Sequence, residues 1–332
     1  MPKAIYTGAS SRLDYVFGPS EVAMLEERFD LLRVENMADG FSAEAVRDVE
    51  YIFSTWGMPK TDSAFLEAFP KLKAIFYAAG SIKFFVTPEF WERDIPVFSG
   101  WAANGVPVAE WSFAQIILSL KQTWTAVRQI QESKRMDHQA YFTNRVPGTY
   151  GSTVALLSLG MIGRYVAERL KTLDVNVIAY DPFISPEDAA ELGLRLVSLE
   201  EAFAEADVIS CHTPWLKETE GMLGRELFAS MKPNASFINT ARGAVVNEPE
   251  MIAVLEQRPD ITAVLDVTYP EPPVEGSPLY TLPNVILTPH IAGSIQNECR
   301  RMARLMIEDY DRFAAGKPTR WQVTEARAAT LA

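Results

Sequence analysis

The sequence predicts an α/β protein with two doubly wound parallel sheets. Three observations carry the prediction. The chain has 332 residues, and at about 100–200 residues per domain that length supports two domains, each with its own core. Short β-rich runs alternate with helical segments from the first residues onward, the rhythm of βαβ units. The same rhythm restarts after a long helical stretch near the middle. Composition agrees, since 48% hydrophobic and 22% charged residues match ordinary globular chains and exclude wholesale disorder.

In the first half, residues 4–7, 31–35, 51–54, 72–77 and 96–98 read as strands. Helices are expected near 19–29, 42–49 and 61–69, the last capped by Thr61 or Asp62. Next, residues 108 to about 131 form a helical stretch in which Ala109, Phe113, Ile116, Ile117 and Leu120 recur at helical spacing. A looser segment with Tyr141, Asn144, Pro147 and Gly148 follows. The second alternation places strands at 153–157, 175–180, 195–197, 208–211, 235–239, 261–265 and 285–287. The last helix, roughly 294–315, is read with no strand after it and is expected to return to the first domain. No internal repeat or low-complexity tract is visible.

The formal charge of −12 repels phosphate backbones and anionic lipid at long range, so neither nucleic acid nor membrane is an expected partner. A local arginine can still bind a small anion inside a cleft. Only Cys211 and Cys299 occur, in no metal-ligand spacing and too few for a disulfide framework, so no metal is expected and a reducing compartment fits. The start, Met1-Pro2-Lys3-Ala4-Ile5-Tyr6, lacks the apolar stretch of a signal peptide, and no segment reaches about 18 uninterrupted apolar residues. A cytoplasmic location is the expectation.

Ser158-Leu159-Gly160-Met161-Ile162-Gly163 follows a predicted strand and opens a predicted helix. It would be a GxGxxG turn if its first residue were glycine. Gly160 permits close backbone approach to a pyrophosphate, Gly163 permits close helix–strand packing, and the N–H groups of Met161 and Ile162 at the helix start suit phosphate. A plain strand-to-helix turn also needs small residues. Asp181 ends the next strand, where an acid accepts hydrogen bonds from ribose hydroxyls and repels a 2′-phosphate. An acid before Pro182 is itself a common turn residue; together the two signals favour NAD over NADP.

Three later strands end in polar segments: Asn239-Thr240-Ala241-Arg242-Gly243, Asp266-Val267-Thr268-Tyr269-Pro270-Glu271, and Thr288-Pro289-His290-Ile291-Ala292-Gly293. Ligands of such sheets bind at the carboxyl ends of strands. Reducing a 2-oxo acid needs a cation for the carboxylate and carbonyl, and a proton donor for the developing alkoxide. Arg242 and His290 match these needs, and Glu271 beside an imidazole stabilises its charged form. Singly, each has a bland reading as a surface ion pair, a loop acid or a turn histidine; jointly, after a nucleotide turn, they read as catalytic.

Taken in this order, the segments resemble the D-isomer-specific 2-hydroxyacid dehydrogenase family, and Asn104-Gly105-Val106-Pro107-Val108-Ala109-Glu110 resembles the family segment before its long helix. The resemblance implies a Rossmann NAD-binding domain over 103–294 and a flavodoxin-like α/β substrate domain over 1–102 with 295–332. It implies a homodimer. It also implies that Arg242 binds the substrate carboxylate and polarises its carbonyl, that His290 delivers the proton, and that Glu271 bonds to His290. The loop His212-Thr213-Pro214 resembles the one over the cofactor, which makes His212 a neighbour of NAD rather than a second acid. Asp266 resembles the residue holding the nicotinamide carboxamide, and Thr240, Ala241 and Gly293 fall among the expected cofactor contacts. His138 matches no motif and is read as structural or interfacial.

The loop Ala78-Ala79-Gly80-Ser81-Ile82 departs from the family pattern by lacking its acidic residues, which leaves the substrate open. Ala79 and Gly80 are expected to offer N–H groups to a carboxylate, while Trp56, Met58 and Phe84 either shape a pocket or pack a core. The expected function is interconversion of a small 2-oxo acid and its D-2-hydroxy acid, in the manner of a hydroxypyruvate or glyoxylate reductase. Two alternatives stand beside it: an NAD-binding regulator of the same fold and a dehydrogenase of formate-like substrates.

Overall fold

The computed structural model describes residues 1–136 and 146–330. His138, Tyr141 and Asn144 lie outside the described residues. The chain divides into two compact units, one of residues 1–105 with 293–331 and one of residues 106–292.

The first unit holds a sheet of β1 (Lys3–Gly8), β2 (Asp30–Glu35), β3 (Tyr51–Ser54), β4 (Ala74–Tyr77) and β5 (Val97–Ser99). They lie parallel in the order β2-β1-β3-β4-β5, the flavodoxin-like arrangement. Registered pairing sets Phe53 beside Phe76 and Phe76 beside Phe98, so their rings stack at 5.0 and 4.6 Å between centroids. Because side chains alternate along a strand, Ile5, Ile52, Ile75 and Val97 fill the opposite face. The helix Cys299–Ala314 covers the phenylalanine face through Met302, Met306 and Tyr310, spaced four apart.

Several expectations are corrected here. A strand does follow the last helix: β13 (Gln322–Val323) pairs antiparallel with β5. Buried Asp309 accepts from the N–H groups of Arg320 and Trp321 at 3.0 and 2.8 Å and turns the chain toward that edge, a long-range cause that two residues without periodicity cannot reveal. The helix begins at Cys299 after a 3-10 turn, Gln296–Glu298, rather than at 294. The helix expected over 108–131 is two, Trp101–Leu120 and Thr123–Ser133, broken at left-handed Gln122 (φ 52°). Pro107, which suits a first helical turn, sits inside the first of them. Asp62 rather than Thr61 caps its helix, accepting from Phe65 N at 3.0 Å, and a short helix, Ser10–Val16, was not anticipated.

The second unit carries β6 (Thr153–Leu157), β7 (Asn176–Tyr180), β8 (Arg195–Leu196), β9 (Val208–Cys211), β10 (Ser236–Asn239), β11 (Thr262–Leu265) and β12 (Val285–Leu287), each expected within two residues. All are parallel, in the order β8-β7-β6-β9-β10-β11-β12. Counted within the unit this is 3-2-1-4-5-6 with a seventh strand, the Rossmann order. Both faces are apolar, as a covered parallel sheet requires: Ala155, Leu157, Ile209 and Phe237 on one, Val154, Leu156, Val208 and Ile238 on the other. The order reverses between β6 and β9, which opens a crevice at their carboxyl ends.

Candidate active site

The turn after β6 stands at that reversal. Gly160 caps the helix Met161–Leu170, and a side chain added there would meet no atom within 4 Å, so the space above the turn is free. The first N–H groups of that helix have no partner within it. Gly163 is required by packing, because an added Cβ would lie 2.1 Å from the Ser158 carbonyl oxygen. Asp181 accepts from Leu159 N at 2.7 Å and Phe183 N at 2.8 Å; it braces the turn and retains acceptor capacity, since a carboxylate has about four lone-pair sites. This open cradle with an acid beside it fits a dinucleotide, which the 158–163 turn and Asp181 would hold.

Ser158 occupies the place of the missing glycine with φ 76°, a left-handed backbone that L side chains resist. Ser158→Gly is expected to stabilise the protein by about 1 kcal/mol and to leave NADH affinity within about twofold. Chemical denaturation and NADH fluorescence titration check it; a lowered unfolding midpoint would count against strain at this turn.

After β10 the chain makes a turn organised by Asn239, buried in the core, whose Oδ1 accepts from Ala241 N at 3.0 Å and whose Nδ2 donates to the Arg242 carbonyl at 3.1 Å. Thr240 shares a 3.1 Å hydroxyl contact with Ser112. Arg242 donates to the Ala241 carbonyl at 2.6 Å and has no ion-pair partner among the described residues. Burial lowers its pKa from the ordinary guanidinium value, against the opposing pull of Glu271. Gly243 is dictated by contact, since an added Cβ would sit 2.0 Å from the Thr268 carbonyl carbon. Gly243→Ala should therefore cost about 3 kcal/mol or more, read as a fall in the urea midpoint; wild-type stability would show that the 266–271 segment yields freely.

The third group lies on the loops after β11 and β12. His290 Nδ1 lies 2.7 Å from Glu271 Oε1, the ring donating because an ionised carboxylate only accepts. Nε2 makes no hydrogen bond among the described residues, and both side chains are nearly half exposed. Glu271, Thr268, Pro273, Asp266, Thr288 and His290 line a pocket of about 400 Å³. Asp266 is buried and accepts from Thr288 Oγ1, Ile291 N and Ala292 N.

His212 rests by the nucleotide turn, 3.8 Å from where a Cβ on Gly163 would lie. Its Nε2 meets Ser210 Oγ at 3.0 Å, and burial lowers its pKa to about 4. Thr213 Oγ1 donates to Leu157 O and the Pro214 carbonyl accepts from Thr219. In the first unit, the Ser99 hydroxyl donates to the Gly80 carbonyl at 2.6 Å, with the Ala79 carbonyl 3.1 Å away; the N–H groups of Ala79 and Gly80 make no hydrogen bond among the described residues. Gly293 also belongs to the first unit, against the Asn104 side chain. Trp56 and Met58 pack on that unit's cores, whereas Phe84 is 78% exposed. Asn239 and Thr288 escaped the sequence reading of site residues; each stands inside a quoted segment, and only its bonds single it out. Among the described residues, no group of three or more His, Cys, Asp or Glu could hold a metal, and no helix is long and apolar enough to cross a membrane.

The strand order and the open turn at its first strand place the protein among dinucleotide-binding α/β proteins. Residues 113–292 match the model of the D-isomer specific 2-hydroxyacid dehydrogenase NAD-binding domain. D-3-phosphoglycerate dehydrogenase of Archaeoglobus fulgidus is 33% identical over 261 residues, 79% of this chain and 49% of its own length. The chain therefore belongs to the D-isomer specific 2-hydroxyacid dehydrogenase family, with NAD the cofactor of that domain. It spans about half the length of the curated relatives it matches. In fold it is similar to a phosphoglycerate oxidoreductase from Rhizobium etli, with a TM-score of 0.81 and 22% identity over 98% of this chain and 99% of the other. It is also similar to the NAD-complexed D-isomer specific 2-hydroxyacid dehydrogenase of Lactobacillus delbrueckii ssp. bulgaricus, with a TM-score of 0.79 and 22% identity over 97% and 100%.

Proposed function

We propose that this protein is an NAD-dependent oxidoreductase that interconverts a small 2-oxo acid and its D-2-hydroxy acid. One observation carries the reading: Arg242, partly buried and with no ion pair among the described residues, lies on the same strand-end edge as a carboxylate-oriented imidazole. A desolvated guanidinium is costly unless an anion completes it. A planar substrate carboxylate matches its fork.

NADH, when bound, supplies the hydride to the carbonyl carbon. Arg242 pairs with the carboxylate and draws charge onto the carbonyl oxygen, and His290, held at Nδ1 by Glu271, presents Nε2 as the proton donor to the developing alkoxide. Gly160, Met161, Ile162, Gly163 and Asp181 would hold the dinucleotide, with His212, Thr213, Pro214, Thr240, Ala241, Gly293 and Asp266 as further contacts. The N–H groups of Ala79 and Gly80 are proposed as added carboxylate donors. A homodimer and a cytoplasmic setting complete the reading.

The test follows NADH oxidation with glyoxylate, hydroxypyruvate and phenylpyruvate. It also follows NAD reduction with D-3-phosphoglycerate, for which the Archaeoglobus relative is named. Turnover on one acid class identifies the substrate; NADH binding with no turnover on any acid would move the assignment to an NAD-binding regulator.

A further inference from the structure

We infer that Thr288 and Asp266 are positioning residues for His290, fixing the backbone from which its imidazole reaches Glu271; this rests on His290 being the proton donor proposed above. The starting point is conformational. His290 has φ 54°, and its N–H closes a tight turn onto the Thr288 carbonyl at 3.0 Å. A non-glycine residue in that region carries a conformational cost that its surroundings offset.

The imposing group is the Asp266 carboxylate, 2% exposed at the end of β11. Oδ1 accepts from Thr288 Oγ1 at 2.6 Å and Ile291 N at 2.9 Å; Oδ2 accepts from Ala292 N at 2.8 Å. The carboxylate thus grips the loop on both sides of His290 and makes no hydrogen bond to the imidazole. Thr288 N also donates to the Leu265 carbonyl, so the near side is tied to β11 at backbone and side chain alike. Charge-assisted bonds in a buried setting are strong, and three on one short loop leave it a single arrangement. Oδ2 keeps an acceptor position for a carboxamide, so gripping the loop and holding nicotinamide are compatible.

Thr288 separates the two roles, because its hydroxyl serves the grip. The experiment compares wild type with Thr288→Val, Thr288→Ser, Glu271→Gln and Thr288→Val/Glu271→Gln. It reads kcat, the NADH Kd, and amide hydrogen exchange at Ile291 and Ala292. Thr288→Val is expected to lower kcat by about tenfold, as a misplaced catalytic group does, with NADH Kd within about twofold and both amides exchanging faster. Thr288→Ser restores kcat. The double variant should be no slower than Glu271→Gln alone, since both act through one imidazole. Losses that multiply, an NADH Kd that rises in step with the fall in kcat, or unaltered exchange would each overturn the inference. If the wild type turns over no 2-oxo acid, the functional reading fails and so does a catalytic role for this grip, while exchange still reports whether Thr288 holds the loop.

Discussion

His290→Gln is expected to lower the reductive kcat by about 10²–10⁴-fold, the range that general acid catalysis supplies, with little change in NADH affinity or stability. The imidazole is nearly half exposed and, among the described residues, hydrogen-bonds only to Glu271 at 2.7 Å, so the fold loses little without it. Glutamine can hydrogen-bond an alkoxide but cannot release a proton to it at neutral pH. Single-turnover rates with saturating NADH check the chemical step directly. A variant within tenfold of wild type would take the proton-donor role away from His290.

Arg242→Ala is expected to produce an equal or larger loss in kcat/KM, about 10³-fold or more, because it removes both the carboxylate anchor and the cation at the carbonyl. Its signature should be the split between activity and stability. The guanidinium is partly buried and carries one backbone hydrogen bond, with no ion pair among the described residues. Removing a partly buried charge that makes no ion pair is neutral or stabilising for the fold. Activity should therefore vanish while the unfolding midpoint stays level or rises. Arg242→Lys should recover little, since an ammonium lacks the bidentate fork. A concurrent fall in stability and activity would recast Arg242 as a structural residue.

Both expectations began in short sequence segments, and the reason those were legible is local. A parallel sheet covered on both faces demands apolar runs such as Val154–Leu157 and Phe237–Ile238, which stand out against polar loops. The turn after β6 was readable because Gly163 answers to sterics within six residues, its place for a Cβ being taken by the Ser158 carbonyl. Even Ser158, which breaks the glycine pattern, marks a backbone demand that the chain meets at φ 76°. Arg242, Glu271 and His290 could be grouped because each follows a strand, and strand ends converge wherever a parallel sheet forms.

What stayed hidden was set by distance along the chain. The left-handed break at Gln122 lies where that side chain donates to the Asn234 carbonyl, 112 residues away. β13 depends on Asp309 catching the N–H groups of Arg320 and Trp321. Asp266 was legible as a polar strand end, but its hold on Thr288, Ile291 and Ala292 was not. By itself, then, the sequence determined the two-sheet class, the nucleotide turn and the residue types at the strand ends, because periodicity and backbone sterics act over a few residues. Tertiary structure alone decided where the long helix breaks, how the last strand joins its sheet, and what holds the histidine loop, because such hydrogen bonds depend on neighbours that only the folded chain brings together.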